Sequence, residues 1–446
     1  MSHGHIPPPR HADGQARRGF TRVAAVGLTL LALFIVVGIA SAVRADQPRG
    51  VAATGELPGA TVDSVLAIAR KLNPQLTARA LDIDAARARV AVAGSLPDPT
   101  LRVTSDELDQ LSGPRQNKMI YSVEQDIPLW GKRGLRRQAA EAEVSQKSAE
   151  LRDAETELAE RVKVTFALYY QTWQALLAMR ELRPVLANIA QVARDRYARS
   201  LVPQQDVIRS ELETTRLENE IARLEGSFRS AAGRLNALLV RPLDAPLAPP
   251  RELRPLPPPD RFEIARLVDR ARAANPSLAA NDAMVRAGER NAVLARRGWY
   301  PDVTLSVGAI DRTGNGPNGY VASVGVKVPL QWGLHEGQVR DAVAQASAAR
   351  ARLDVAEQQI RGDLAEATAA LEASRRAGAL SVRRLIPLAQ VMLRSATADY
   401  AVGKVDLPEV LRAEREVAAA RIELLSTELD QQRQLAAIER LVGGDL

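Results

Sequence analysis

From Met119 to Ile127 the chain alternates, with Met119, Tyr121, Val123, Gln125 and Ile127 on one side and Ser122, Glu124 and Asp126 on the other. A period of two predicts a strand at about 118–128. A partner strand is predicted at about 99–106, where Leu101, Val103 and Ser105 alternate with Thr100, Arg102 and Thr104 after Leu96-Pro-Asp-Pro99. Past the break Pro128-Leu-Trp-Gly131 the period changes. Leu151, Ala154, Leu158, Val162, Phe166, Tyr169, Trp173 and Leu176 recur every three or four residues, the stripe of an amphipathic helix. That helix should run to about Ser200 with a kink site at Pro184, a length of roughly 100 Å at about 1.5 Å per residue. Leu201-Val-Pro-Gln204 turns the chain, and Ile208, Leu212, Leu217, Ile221, Leu224, Phe228 and Leu235 bring an antiparallel partner back. Residues 132–238 therefore read as one long helical hairpin. Two shorter helices, divided at Asn73-Pro74, are expected between Thr61 and Gly94.

The same order then returns. Asn275-Pro276 answers Asn73-Pro74, Tyr300-Pro-Asp302 answers Leu96-Pro-Asp98, and strands are expected at about 302–310 and 320–329. Trp332-Gly333 opens a second hairpin at about 334–441, with Pro387 standing 203 residues after Pro184 and Tyr400 standing 203 after Tyr197. Recurrence of breaks and tips in one order at a spacing of about 203 residues marks an internal repeat. The first repeat spans 61–240 and the second 260–446, joined by 241–259, where eight prolines predict a semi-rigid extended linker. Helix dominates, with a β part of four strands per chain. Strands with one apolar and one polar face suit a barrel wall in lipid, although a hairpin of a soluble sheet carries the same pattern. Four strands are too few to close a membrane barrel, so oligomerisation must supply the rest.

Composition narrows the chemistry. The 446 residues include no cysteine, which excludes disulfides, thiolate metal sites and a cysteine nucleophile. Three of the four histidines (His3, His5, His11) precede an apolar N-terminal run, leaving His335 alone afterwards. No nucleophile-base-acid spacing, phosphate loop or ligand cluster occurs, so the chain reads as neither an enzyme nor a holder of metal or cofactor. Residues 23–42 follow Arg17, Arg18 and Arg22 and end in Ala-Ser-Ala, so 1–45 reads as a cleaved export signal and 46–60 as a flexible lead-in. Twenty apolar residues would also span a bilayer as a retained anchor. Without residues 1–42 the chain has 56 basic and 52 acidic residues, a net charge of +4, too balanced to argue for nucleic acid.

Trp130, Trp299 and Trp332, three of the four tryptophans, lie with Tyr300 where strands meet helices. Contact with a lipid bilayer surface would place an aromatic belt there; the alternative is a plug between strand and helix layers of a soluble protein. Tyr400-Ala-Val-Gly-Lys-Val-Asp-Leu-Pro-Glu-Val-Leu-Arg-Ala-Glu414 resembles the second helical tip of the TolC-type outer membrane efflux family. Val123-Glu-Gln-Asp-Ile-Pro-Leu-Trp-Gly-Lys-Arg133 is similar to its heavy-metal branch, that of the CzcC and CusC ducts. The resemblance runs from about Thr61 to Leu441. It implies a homotrimer in the outer membrane of a Gram-negative bacterium, with a twelve-stranded β-barrel continued by an α-helical tunnel into the periplasm. It further implies a periplasmic adaptor and an inner-membrane pump of the RND type as partners, a passive exit duct as function, and heavy-metal cations as cargo. By the same resemblance Leu201, Val202 and Pro203 with Val402, Gly403, Lys404 and Val405 are adaptor-docking tips, and Asp206, Glu409 and Tyr400 form a periplasmic gate. Asp206 and Glu409 also suit the plainer role of acidic charge at a helix start. Arg412 stands where the family commonly has an acid and Val405 where it often has a base, so the gate network departs from the family pattern. A membrane-anchored periplasmic adaptor is the alternative function, but one hairpin between compact β domains, rather than two full repeats, is expected of it.

Overall fold

The computed structural model of the chain describes residues 57–108, 116–312 and 318–446. The export signal at 1–45, most of the lead-in and the two turns between paired strands lie outside these residues. Helices α1 (Val62–Leu72) and α2 (Pro74–Gly94) share one residue at their boundary. Asn73 ends α1, and its side-chain oxygen accepts from the backbone N–H of Gln75 at 2.8 Å, capping α2 while Pro74 fills the first helical position. Asn275 repeats the device between α5 (Ile264–Ala274) and α6 (Pro276–Arg297).

Strands β1 (Thr100–Leu108), β2 (Gln116–Ile127), β3 (Asp302–Arg312) and β4 (Gly319–Lys327) form one antiparallel sheet in chain order. Pairing of β2 with β3 joins the two repeats directly, and Gly308 is needed there: a Cβ at Gly308 would stand 2.6 Å from the carbonyl oxygen of Tyr121. Among the described residues the outer edges of β1 and β4 have no partner. From the sheet descends α3 (Lys132–Ala198), 67 residues that continue through Pro184, and α4 (Gln204–Leu238) returns. The second repeat descends as α7 (Trp332–Leu380), a π-helical turn (Ser381–Leu385) and α8 (Ile386–Ala401), and returns as α9 (Leu407–Leu441).

In the upper half the helices lie in the order α2, α3, α6, α7, and in the lower half in the order α4, α3, α9, α8. Apolar stripes close three cores. One joins α1 to α3 and α4 around Phe166 and Tyr169, one joins α5 to α7 and α9 around Leu364 and Leu371, and one fills the lower row around Leu186, Tyr400 and Leu407. The proline-rich segment between the repeats is laid along the helices. Backbone N–H groups of Ala248 and Arg251 donate to the carbonyls of Pro58 and Ala60 at 2.9 and 3.0 Å, and Tyr169 donates its hydroxyl to Ala248 O.

The repeat does not have a single spacing. Buried positions above the π-turn, such as Leu158/Ile360, Val162/Leu364 and Tyr169/Leu371, differ by 202, whereas Leu186/Ala389 and Ala193/Ala396 below it differ by 203. The second repeat therefore holds one extra residue, absorbed at Ser381–Leu385, where Ile386 N–H reaches back five residues to Ser381 O. Widening one turn keeps the faces above and below in phase, where an uncompensated insertion would rotate everything beneath by about 100°.

Candidate functional site

The sheet has two chemically distinct faces. Across the register, Leu101, Val123, Val307 and Ala322 form one row and Val103, Tyr121, Ala309 and Tyr320 the next, and all eight are exposed. The opposite face is polar. Arg102 donates to Glu124 at 2.8 Å, Thr304 to Asp126 at 2.5 Å, and the hydroxyls of Ser306 and Ser323 meet at 2.8 Å. An exposed apolar face is unfavourable in water and favourable in lipid, while a face carrying Arg102, Glu124 and Asp126 is costly to desolvate and favours water.

At the lower end of the sheet the four aromatics come together in pairs, Trp130 with Tyr300 at 5.2 Å between ring centroids and Trp299 with Trp332 at 5.9 Å. All four are exposed. The joint is latched across the repeats: the Trp130 indole N–H donates to Pro301 O at 2.8 Å, and the buried Lys132 ammonium donates to Tyr300 O and the Asp302 carboxylate, both at 2.8 Å. Sequence suggests a glycine turn over 131–134; the left-handed residues are instead Trp130 (φ 59°) and Gly131 (φ 74°), and Gly134 is already helical. The held indole compensates the strain of a left-handed tryptophan. At the second junction Gly333 lies inside α7, so the two joints are built differently.

Both tips end on the same backbone motif. Leu201 N–H bonds to Arg196 O and Lys404 N–H to Asp399 O, each at 2.9 Å, with Ser200 (φ 57°) and Gly403 (φ 82°) at equivalent left-handed positions. Leu201, Pro203, Val402, Gly403 and Lys404 are exposed, and Val202 and Val405 half-buried. The side chains around them are not equivalent. Tyr400 is 1% exposed, with the Arg196 guanidinium over its ring at 4.8 Å, whereas Tyr197 is 45% exposed. Asp206 is buried; that burial, with the charge of Asp406 added, raises its pKa against the pull of Arg209 and Arg196. Burial and the neighbouring Asp206 raise the Tyr400 pKa too, and among the described residues its hydroxyl has no hydrogen-bond partner. Glu409 is apart from them, exposed and paired with Arg412 at 3.1 Å. The structure thus brings Asp206 and Tyr400 together and leaves Glu409 on the surface.

Sequence reasoning passed over Arg196, Asp406 and a second carboxylate pair above the tips. The one available signal was Asp406 before Leu407-Pro408, an acidic helix start. Glu213 would have a raised pKa from burial, but two bonds from Arg415 (2.8 and 2.9 Å) and one from Arg216 hold it low. Burial and the adjacent Glu213 push Glu414 up to about 7 despite Arg415. Burial first and the charge of Glu213 second thus make Glu414 the more readily protonated of the two, while Arg415 and Arg216 favour the ionised form of Glu213. Among the described residues no three His, Cys, Asp or Glu side chains are grouped to hold a metal ion, and no helix is long and apolar enough to cross a membrane.

Comparison with known proteins agrees with this geometry. The family model described as "Outer membrane efflux protein" matches twice, over residues 65–240 and 267–444, one match per repeat. The cobalt-zinc-cadmium resistance protein CzcC of Cupriavidus metallidurans is 26% identical over 387 residues, covering 86% of this chain and 90% of that protein. The nickel and cobalt resistance protein CnrC of the same organism is 27% identical over 64% of this chain and 66% of its own length. The crystal structure of the outer membrane protein VceC from Vibrio cholerae is 19% identical and superposes with a TM-score of 0.74 over 86% of this chain and 96% of that one. The crystal structure of CusC does so with a TM-score of 0.73 at 16% identity, over 86% of this chain and 92% of that one.

Proposed function

We propose a function from one premise: the chain belongs to the outer membrane efflux protein family, and it is a channel of the Gram-negative outer membrane. In our reading three copies join their sheets into a twelve-stranded barrel, and the six hairpins below form one tunnel through the periplasm. The observation that carries this is a four-stranded sheet with an apolar face, a polar face and two open edges, continued downward by helices of 67 and 49 residues. A bilayer offers no hydrogen bonds to an open strand edge, so the edges must close on other copies. The duct is passive: a periplasmic adaptor docks on Leu201–Pro203 and Val402–Val405, and an inner-membrane pump of the RND type supplies the energy. The four aromatics mark the lipid boundary on the periplasmic side.

Resemblance to CzcC and CnrC over most of the chain supports heavy-metal cations as the cargo. A strain lacking this chain should then fail to grow at cobalt, zinc, cadmium or nickel concentrations that its parent tolerates, and the intact gene should restore growth. Unchanged tolerance to all four would remove the metal assignment and leave a duct of other cargo.

The gate is assigned to the lower constriction, with Tyr400 and Asp206 packed inside each copy and Glu409 facing outward beside Arg412. Carboxylates gathered about a three-fold axis would favour cations in the constriction. Asp206→Asn combined with Glu409→Gln should raise single-channel conductance in planar bilayers or weaken cation preference. If both stay at wild-type values, the two acids are helix-start charges and nothing more.

A further inference from the structure

Where the sheet meets the helices the chain has a cavity of about 790 Å³ that the duct reading leaves without a role. Strands β3 and β4 bring Asp302 and Lys327 to its wall, opposite each other in the register, and α3 brings Lys132 and Arg136. Three of these four charges are positive. The single carboxylate is already engaged, accepting from the Leu129 N–H at 3.1 Å and from Lys132 at 2.8 Å. Lys132 gives its other bond to Tyr300 O, which leaves one of its three ammonium protons free. Arg136 and Lys327 are exposed, and among the described residues neither has an ion-pair partner or a side-chain hydrogen bond.

Two further features show that the positive charge lacks a counterpart. Helices α3 and α7 both begin here, and neither has a side-chain cap or an acid in its first turn. The first two turns of α3 instead carry Lys132, Arg133, Arg136 and Arg137, cations beside the positive end of the helix dipole, where an anion is the favoured neighbour. On the same wall Nδ1 of His335 is buried with no hydrogen-bond partner among the described residues. A polar atom sealed from water without a bond is costly, and a ligand that bonds to it removes the cost.

We propose that this cavity binds a phosphate-type oxyanion. Arg136 offers it a planar fork, Lys327 a point charge and Lys132 its free proton, and donors converging from separate elements suit an anion with several oxygens rather than a single-atom ion. Asp302 follows the alternation of Ser306 and Thr304, so it lies on the polar face of the sheet. In the ring reading that face lines the lumen; only this placement rests on that reading, because the cavity is built within one copy. Phosphate can arrive as the free ion or as the headgroup of an anionic lipid, since Tyr300 of the aromatic boundary is on the wall too.

The full-length protein, purified in a nonionic detergent without phosphate, is titrated with inorganic phosphate, and the phosphorus-NMR line width reports bound ion. In a second arm it is reconstituted into vesicles of phosphatidylcholine and phosphatidylglycerol and re-extracted, and the phosphatidylglycerol retained per chain is counted. Wild type should broaden the line saturably, and Arg136→Gln and Lys327→Gln should each weaken binding about tenfold, since each removes one charge-assisted bond. Arg296→Gln, exposed and outside the cavity, should bind as wild type does. Neither cavity substitution removes an ion pair or side-chain hydrogen bond found among the described residues, and thermal melting checks that the fold is kept. Retention of phosphatidylglycerol by wild type but not by the double variant, with inorganic phosphate unbound, upholds the site and makes the headgroup its ligand. Wild type and double variant alike in both arms overturn it. Binding by a protein that runs as a monomer upholds the site while removing the ring, and an intact trimer that binds neither probe removes the site and leaves the duct.

Discussion

Val307→Arg is expected to abolish assembly in the outer membrane, and Ser306→Arg, one residue earlier on the same strand, to leave it intact. Val307 lies midway along β3, 65% exposed, level with Val123 on one side and Ala322 on the other. If that face meets hydrocarbon, a cation there costs about 2–4 kcal/mol near the bilayer midplane, and a three-fold ring incurs the cost three times. Ser306 points the other way, its hydroxyl 2.8 Å from that of Ser323 on the polar face, where an arginine stays in water. The measurement is the amount of trimer in the outer-membrane fraction, resolved by running samples boiled and unboiled. Equal tolerance of both substitutions, or rejection of Ser306→Arg alone, would reverse the assignment of the faces and with it the barrel.

Glu439→Ala is expected to be the most destabilising single change away from the membrane. Glu439, in the last two turns of α9, is 5% exposed and accepts from Lys163 at 2.7 Å and from Arg254 at 2.9 and 3.0 Å. Lys163 is itself 6% exposed, and among the described residues its second partner is Asp445. Removing Glu439 leaves Arg254 without an ion-pair partner among the described residues, with only the more distant charge of Asp445, and leaves Lys163 with one partner of two. Breaking a buried ion pair from one side costs about 3–5 kcal/mol, because the remaining charges stay desolvated. Glu225→Ala is the control: its pairing with Arg180 at 2.7 Å is exposed on both sides and is worth less than about 1 kcal/mol. Loss of helical circular dichroism on heating compares the two. Melting of Glu439→Ala together with Glu225→Ala would show that the network contributes nothing beyond a surface pair.

Much of this architecture is legible along the chain because its signals are local. Asn73-Pro74 and Asn275-Pro276 divide helices wherever they occur, since the cap and the proline act on the turn that contains them. The alternation from Met119 to Ile127 and the three-and-four spacing from Leu151 to Leu176 name their elements with no knowledge of the rest of the fold. The repeat is legible too, although a spacing of about 203 conceals the extra residue of the second copy. Helix period looks the same on both sides of an absorbed insertion, and only the buried positions on either side of Ser381–Leu385 reveal it.

The tips show where reading along the chain stops. Tyr197 and Tyr400 occupy matching positions, as do Asp206 and Glu409, yet one tyrosine and one acid of these are buried and the others exposed. Burial is decided by which helix stands next to the residue. Helices α3 and α9 are interior to the lower row and α4 and α8 are its ends, an order no single segment encodes. The network of Lys163, Arg254 and Glu439 is hidden for the same reason, its lysine and glutamate lying 276 residues apart. Sequence alone determined the elements, their repetition and the two-faced strands, because periodicity and capping are short-range properties of the backbone. Tertiary structure alone decided which charges are desolvated, which equivalent residues are truly equivalent, and which helix sides remain open for another copy, because those depend on neighbours brought together from distant parts of the chain.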